Sequence, residues 1–203
     1  MKILAFDLGT KCGWAFGAPA WKRAPELGLV RLPRTGEDIG RFAWMFRREA
    51  TALVDRFEPD IVAFESPFLP QPRFDIKSKK WVLGTNITTL RKLYTIAGVL
   101  ELVCADRKVR CGEEHIPTIK KAVTGSGRAE KAKMITGAEG FGVVWPQGLK
   151  RTKAEDEREH LADAFGVWLC TARAVASGDA AEIEPLWMTP AAIAAAQAQA
   201  EAS

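Results

Sequence analysis

Short apolar runs alternate with polar punctuation over the first 33 residues. The segments MKILAFDL, CGWAFGA and ELGLVRLP occupy residues 1–8, 12–18 and 26–33, and glycine, lysine and proline separate them. Short apolar runs divided by such residues are typical of successive strands joined by tight turns. The pattern therefore predicts three strands that form an antiparallel meander at the start of the chain.

The next 80 residues change from helical to extended periodicity and back. Apolar residues recur at helical spacing over 37–57, and the run IVAF at 61–64 reads as a buried strand that ends after Glu65. A mostly apolar helix is predicted over 85–105, followed by a strand within KVRCGEEHI at 108–116. A strand, a helix and a parallel strand form a right-handed crossover. We therefore expect an α/β fold with a mixed sheet, in which parallel strands follow the antiparallel ones and helices cover both faces.

The last part of the chain is predicted to be helical. Residues 117–144 read as two short helices joined by a glycine turn at 125–127. A final helix is expected to begin near Thr152, because Thr152 and Glu155 have the spacing of a capping box. The tail at 178–203 is rich in alanine and glutamine, which is compatible with a frayed helix or with one that docks on a partner.

Length and composition restrict the class of protein. A chain of 203 residues with 47% hydrophobic content can bury one substantial core, so we expect one domain over 1–177 and a tail over 178–203. The net charge of +4 suits a polyanionic partner without requiring one. No segment has the length of a membrane span or the pattern of a signal peptide, so a cytoplasmic protein is expected. The four cysteines form no CxxC pair and are expected to be buried thiols.

Four side chains form a candidate metal site. Asp7 and Glu65 each end an apolar strand, and His160 and Asp163 lie three residues apart on the last helix, which places them on one face. Three carboxylates and an imidazole suit Mg²⁺ or Mn²⁺. Alternatives remain for each part of the set. Asp7 could be a turn aspartate before a glycine, His160 and Asp163 could belong to a solvated helix face, and Asp156 and then Glu159 are the rival ligands.

The order of four motifs resembles that of RuvC-type Holliday junction resolvases, which belong to the ribonuclease H-like superfamily. FDLGTKCGWA resembles the first-strand motif at Asp7, IVAFESP the fourth-strand motif at Glu65, and HLADAFGVW the terminal motif at His160 and Asp163. IKKAVTGSGRAEKAKM resembles the segment that contacts junction DNA. The resemblance implies a ribonuclease H-like fold, a phage or bacterial member, and a homodimer that hydrolyses phosphodiester bonds in branched DNA. It also implies two Mg²⁺ ions per active site, which Mn²⁺ can replace, and products with 5′-phosphate and 3′-hydroxyl ends.

Two segments are candidates for DNA binding. Basic residues flank the glycine turn, and the resemblance favours Lys120 and Lys131 as phosphate contacts; the full set is Lys120, Lys121, Arg128, Lys131 and Lys133. The loop at 67–84 offers Phe68 and Phe74 for base stacking and Arg73 for charge. The alternatives are a solvated lysine-rich helix face for the first segment and aromatics that cover the core for the second.

Other functions are compatible with parts of the sequence. The loop at 67–84 is longer than the resemblance predicts and the tail has no counterpart, so other branched or flapped DNA remains an alternative to the four-way junction. The DLGTKCG turn is also similar to the phosphate-binding turn of the actin, sugar kinase and chaperone ATPases, but this chain has room for one such lobe, so no nucleotide cofactor is expected. A catalytically inactive RuvC-like DNA-binding module is a third possibility, although all four ligand positions are filled.

Overall fold

The computed structural model describes most of the chain. It covers residues 1–19, 23–33, 36, 38–67, 73–75, 79–82, 86–152 and 155–177. The predicted tail at 178–203 and Phe68 lie outside the described residues. For Arg73 the structure describes the backbone but not the side chain.

The five helices and five of the nine strands in the described residues follow the order that the sequence pattern predicts. The strands are β1 (Ile3–Asp7), β2 (Lys11–Gly17), β3 (Glu26–Arg31), β4 (Ile61–Glu65), β5 (Arg73–Asp75), β6 (Lys80–Val82), β7 (Arg110–Glu114), β8 (Arg151–Thr152) and β9 (Glu155–Asp156). The helices are α1 (Ile39–Phe57), α2 (Ile87–Asp106), α3 (Ile116–Thr124), α4 (Lys131–Gly140) and α5 (Arg158–Ser177).

Five strands form the central sheet in the order β3-β2-β1-β4-β7. The pairs β1–β2 and β2–β3 are antiparallel, whereas β1–β4 and β4–β7 are parallel. Helix α2 provides the crossover between β4 and β7. The predicted α/β fold, with an antiparallel meander followed by parallel strands, is therefore confirmed.

Side chains alternate between the two faces of the sheet and form two cores. Ile3 and Ala5 of β1 pack on the side of α3, α4 and α5, whereas Leu4 and Phe6 pack on the side of α1 and α2. In β4, Ala63 faces α5 and Phe64 faces the other layer. This parity is the two-residue period of a strand. It determines that the next odd-numbered positions of β1 and β4, residues 7 and 65, also face α5.

Local sequence explains where three of the helices begin or end. The Asp38 side chain accepts a hydrogen bond from the Arg41 amide at 2.8 Å before α1, and Asn86 accepts one from the Thr88 amide at 2.7 Å before α2. Helix α3 ends at Gly125, whose φ of 79° is a left-handed conformation that glycine adopts without strain. These caps satisfy backbone groups that have no partner within the helix.

Two predictions about local structure are wrong. The last helix begins at Arg158 rather than near Thr152, because Thr152 pairs with Glu155 in the β8–β9 hairpin. The Thr152 hydroxyl accepts a hydrogen bond from the Glu155 amide at 3.0 Å, so the predicted capping contact closes a hairpin turn instead of a helix. The region predicted as a loop at 67–84 also contains a hairpin, formed by β5 and β6.

The sequence predicts buried thiols and no membrane span, and the described residues agree with the first of these predictions. Cys12, Cys104, Cys111 and Cys170 are all buried and free. Burial raises the pKa of the Cys170 thiol to about 12, which keeps that thiol protonated and unreactive. Within the described ranges, no helix has the length and apolar character needed to cross a membrane.

Candidate metal centre

Two parallel strands bring the first two carboxylates to the same edge of the sheet. Asp7 is the last residue of β1 and Glu65 the last of β4, and Ala5 lies opposite Ala63 in the register of the pair. Both acids therefore occupy equivalent positions at neighbouring strand ends. Because of the strand parity, both side chains point towards α5.

Helix α5 brings the third carboxylate and the imidazole to this edge. Oxygens of Asp7, Glu65 and Asp163 lie within 4.8 Å of one another. The Nδ1 atom of His160 lies 2.8 Å from Oδ2 of Asp7. The structure thus brings all four predicted residues together, with three carboxylates in the cluster and His160 in direct contact with one of them.

A glycine allows this close approach of helix to sheet. Gly13 lies opposite Asp7 in the register of β1 and β2. A Cβ at this position would overlap the carbonyl oxygen of His160, so the first turn of α5 rests directly on the backbone of β2. Any larger residue at 13 would push His160 away from Asp7.

Glu65 and Asp163 hold protons unusually tightly. Burial, together with the charges of Asp7 and Asp163, raises the pKa of Glu65 from 4.5 to about 8. Burial and the charge of Asp7 raise the pKa of Asp163 from 3.8 to about 7. Lys120 and Lys131 oppose both shifts without cancelling them. Full ionisation of the cluster would therefore bring buried like charges together, and a bound cation would neutralise them.

This donor set fits a hard divalent cation. Magnesium and manganese are bound in proteins through carboxylate oxygens, usually from a few acidic side chains with water completing the shell. The convergent carboxylates of Asp7, Glu65 and Asp163 provide such oxygens, and His160 offers a nitrogen beside them. Asp7, Glu65, Asp163 and His160 are the residues that would hold the metal.

The rival acids on the same segment have other partners. Asp156 lies in β9, and its carboxylate accepts hydrogen bonds from the Arg158 side chain, including one of 2.6 Å from Nη2 to Oδ2. Glu159 pairs with Lys131 at 2.6 Å. Neither acid belongs to the cluster of three carboxylates. This geometry favours His160 over Asp156 as the companion of Asp163.

The five basic residues predicted to bind DNA lie in three different places. Lys120 and Lys131 are near enough to the acids for their charges to influence the pKa values of Glu65 and Asp163. Lys121 instead lines a separate cleft of about 480 Å³ between α3 and α5, together with Glu114 and Cys170. The remaining two, Arg128 and Lys133, are exposed on the surface near the glycine turn.

One charged residue beside the site has no counterpart in the sequence prediction. Glu157 directly precedes α5, and its side chain is completely buried. In the sequence it lies within the acidic run EDERE, where nothing distinguishes it from its solvated neighbours. Only the fold reveals that it pairs with Arg31, which lies 126 residues earlier.

Comparison with known proteins points to one family. The chain is 31% identical over 176 residues to the crossover junction endodeoxyribonuclease RuvC of Frankia alni, covering 84% of this chain and 77% of the relative. It is 33% identical to the RuvC of a Parafrankia species, covering 84% and 85% of the two chains. The fold matches a solved structure of Thermus thermophilus RuvC in complex with a Holliday junction substrate, with a TM-score of 0.64, 18% identity, and coverage of 92% and 99%. No protein-family model matches the chain.

Proposed function

Because the chain belongs to the RuvC family of crossover junction endodeoxyribonucleases, we propose that it is an endonuclease that cuts Holliday junctions. The proposal assigns the activity to residues 1–177 and the reacting centre to Asp7, Glu65, His160 and Asp163. The observation that carries it is the convergence of three carboxylates from three separate elements, with His160 against Asp7. A DNA-binding module without catalysis would not need this costly cluster of like charges.

We assign the centre to two Mg²⁺ ions, for which Mn²⁺ would substitute. Divalent cations in such a centre supply electrostatic stabilisation of the phosphate and activation of water for phosphodiester hydrolysis. The chain's own contribution is to hold the carboxylates at a fixed separation on a rigid sheet and helix. Asp7 lies centrally, because it contacts His160 and its charge raises the pKa values of both other acids.

Metal binding is expected to release protons and to tighten as the pH rises. At pH 6.5 Glu65 and Asp163 are largely protonated, since their pKa values are about 8 and about 7, and a cation must displace those protons. Calorimetric titration of Mg²⁺ in buffers of different ionisation enthalpy measures the number of protons released. An affinity that does not change between pH 6.5 and 8.5 would contradict the assignment.

We propose that Lys120 and Lys131 bind phosphates of the DNA backbone next to Asp7, Glu65 and Asp163. Both charges act on the carboxylate cluster, so a phosphate that contacts them would lie beside the metal centre. Lys131 lies at the start of α4 and pairs with Glu159 in the free protein. Arg128 and Lys133 would extend the basic surface along the glycine turn.

Removing the charge of Lys120 and Lys131 together is expected to weaken junction binding and to reduce its salt dependence. Each phosphate contact that is lost lowers the slope of log K against log salt by about 1. The matched control is Lys121→Gln, since Lys121 lies on the same helix as Lys120 but faces the cleft beside Cys170. If Lys121→Gln lowers the slope as much as the double variant does, Lys120 and Lys131 are not the specific phosphate contacts.

We propose that the protein acts as a homodimer that packs through α2. Exposed apolar and small residues recur along a stripe on one side of this helix, with the exposed Arg91 between the first two large ones. Ile87 is 62% exposed, Tyr94 47% and Leu102 51%. Gly98 lies in the middle of the stripe, and nothing lies within 4 Å of a Cβ built there. A small residue at such a point allows two helices to approach closely. The two-fold symmetry of a dimer would match that of a four-way junction.

Introducing charge into this stripe is expected to produce monomers. Leu102→Glu would bury a carboxylate in the proposed interface, whereas it would remain solvated in a monomer. Sedimentation velocity would show a dimer for the wild type and a monomer for the variant, with the same far-ultraviolet circular dichroism spectrum for both. A wild-type protein that sediments as a monomer while making paired cuts would overturn the dimer.

We propose that the β5–β6 hairpin contributes to the DNA surface. Phe74 is 51% exposed on this hairpin, so its ring is accessible to an unpaired base. Base stacking on an aromatic ring is worth about 1–3 kcal/mol. Phe68 and the side chain of Arg73 are assigned to the same surface from the sequence alone.

A substrate panel tests the proposed function. The protein is incubated with Mg²⁺ and equal concentrations of a synthetic four-way junction, a flap and a linear duplex of the same sequence. We expect cutting of the junction at the branch point and little cutting of the linear duplex. Preferential cutting of the flap would move the substrate to another class of branched DNA, and cutting of none of them would refute the nuclease proposal.

A further inference from the structure

Glu157 is a fully buried charge directly before α5. Its carboxylate accepts a forked pair of hydrogen bonds from Arg31, from Nε to Oε1 at 2.9 Å and from Nη2 to Oε2 at 2.5 Å. The backbone amide of Lys150 donates to Oε2 at 2.9 Å, and Nζ of Lys11 lies 3.6 Å from Oε1. A fork of this kind fixes direction as well as distance.

The side-chain partners of Glu157 belong to the central sheet. Arg31 ends β3 and Lys11 begins β2, and the two residues lie opposite each other in the register of the pair. Lys11 also pairs with Glu155 of β9. The amide of Glu157 in turn donates to the carbonyl of Lys150 at 2.9 Å, which closes the β8–β9 segment on itself. The network therefore ties the segment that leads into α5 to two antiparallel strands.

This network lies one turn from the metal centre along the chain. Glu157 precedes His160 by three residues and Asp163 by six. Gly13 of β2 lies directly against the first turn of α5. It is two residues after Lys11 in the same strand. The start of α5 is thus held at two points, by an ion pair at Glu157 and by direct backbone contact at Gly13. A small rotation of this turn would move both His160 and Asp163 relative to Asp7 and Glu65.

The ion pair is maintained over the pH range in which the acids of the metal centre titrate. Hydrogen bonds from Arg31, supported by the Lys150 amide and the charge of Lys11, lower the pKa of Glu157 to about 2. Glu157 therefore stays ionised wherever the acids of the centre titrate. Breaking one side of a buried, hydrogen-bonded pair is costly because it leaves the other charge without compensation.

We propose that Glu157, held by Arg31, is a positioning residue that fixes the first turn of α5 so that His160 and Asp163 face Asp7 and Glu65. The inference rests on the proposed function, because it assumes that these four residues hold the metal. Groups that orient metal ligands commonly affect metal affinity by about 10–100-fold when they are removed.

Two variants with opposite changes of charge separate positioning from simple electrostatics. Glu157→Gln removes a negative charge, and Arg31→Gln removes a positive one. If Glu157 acted only by attracting cations, the first variant would weaken metal binding and the second would strengthen it. A positioning role predicts that both variants weaken Mn²⁺ binding by roughly 10-fold. Arg31→Lys is expected to give an intermediate loss, since lysine retains the charge but not the fork.

The control is a second forked pair at the opposite end of the sheet. Arg107 binds Asp55 through Nε at 2.9 Å and Nη2 at 3.1 Å, between the ends of α1 and α2. Asp55→Asn is expected to leave Mn²⁺ affinity unchanged. Thermal unfolding of each variant, and junction binding without metal, are measured beside it to confirm that the protein is folded at the temperature of the titration.

Calorimetric titration with Mn²⁺ alone tests whether Glu157 is a positioning residue. A roughly 10-fold weaker affinity in both Glu157→Gln and Arg31→Gln, with Asp55→Asn like the wild type, supports the inference. Opposite shifts in the two variants, or wild-type affinity combined with lower thermal stability, overturn it while leaving the proposed function intact. A wild-type protein with the same Mn²⁺ affinity as Asp7→Asn overturns the proposed function and this inference together.

Discussion

Replacing Asp7 with asparagine is expected to lower the rate of junction cutting by more than roughly 100-fold, beyond the loss typical of a residue that only supports a ligand. Asp7 is central to the cluster, where it contacts His160 at 2.8 Å and contributes to the raised pKa values of Glu65 and Asp163. Asparagine has the same shape but provides one neutral oxygen instead of a shared carboxylate. Single-turnover cleavage of an end-labelled junction measures the loss.

Junction binding by Asp7→Asn is expected to be at least as tight as that of the wild type. The substitution removes a negative charge near the path of the DNA backbone and leaves Lys120 and Lys131 in place. Gel-shift measurements in the absence of metal provide this comparison. A variant that cuts junctions at the wild-type rate would show that the reacting centre is elsewhere.

Neutralising Glu65 or Asp163 is expected to stabilise the metal-free protein at alkaline pH while abolishing cleavage. The folded state binds protons at these sites more tightly than the unfolded chain does, with pKa values of about 8 against 4.5 for Glu65 and about 7 against 3.8 for Asp163. Stability therefore falls as the pH rises through this window, because the folded state must then accept buried like charges. Gln or Asn at these positions does not incur that cost.

The expected gain for Glu65→Gln at pH 8.5 is on the order of 2 kcal/mol, within the ceiling of about 5 kcal/mol that the pKa shift allows. For a chain of this size that corresponds to an increase in Tm of roughly 4–8 °C. Differential scanning calorimetry at pH 5 and pH 8.5 measures it, and the gain should shrink at the lower pH. Saturating Mg²⁺ should reverse the order, since only the wild type gains stability from the bound metal. Destabilisation of the variant at pH 8.5 without metal would contradict the account.

The strand-borne half of the site follows from sequence periodicity. Asp7 and Glu65 each end an apolar run, and in parallel neighbours such ends meet at one edge of the sheet. The side on which they face also follows from the pattern, because Ala5 and Ala63 precede them by two residues and face α5. Small residues at these positions leave room for the helix that carries His160 and Asp163.

The start of α5 could not be derived from local pattern. The pair formed by Thr152 and Glu155 has the spacing of a helix cap, but the same hydroxyl-to-amide hydrogen bond also closes a tight hairpin. In the fold, Glu157 pairs with Arg31, which lies 126 residues earlier. The sequence around Thr152 contains no sign of this tertiary contact, so local pattern alone does not place the start of α5. The β5–β6 hairpin does not follow from the sequence pattern, because proline and basic residues dominate the segment at 67–84.

The directions of the lysine side chains also could not be predicted from the sequence. The basic segment identifies a DNA-binding candidate by composition, yet Lys120 and Lys121 are adjacent in sequence and serve different surfaces. Their directions follow from how α3 packs on α5, where Ile119 and Val123 are buried. This packing leaves Lys120 towards the acids and Lys121 towards the cleft beside Cys170.

Cleavage of an end-labelled four-way junction tests the central claim most directly. Wild-type protein and Asp7→Asn are incubated with the junction side by side, each with Mg²⁺ and with a chelator. We expect paired cuts in strands of like polarity, with 5′-phosphate ends, from the wild type with Mg²⁺ and from no other combination. Equal cutting in the presence of the chelator, or by Asp7→Asn with Mg²⁺, would contradict the assignment of catalysis to this metal centre.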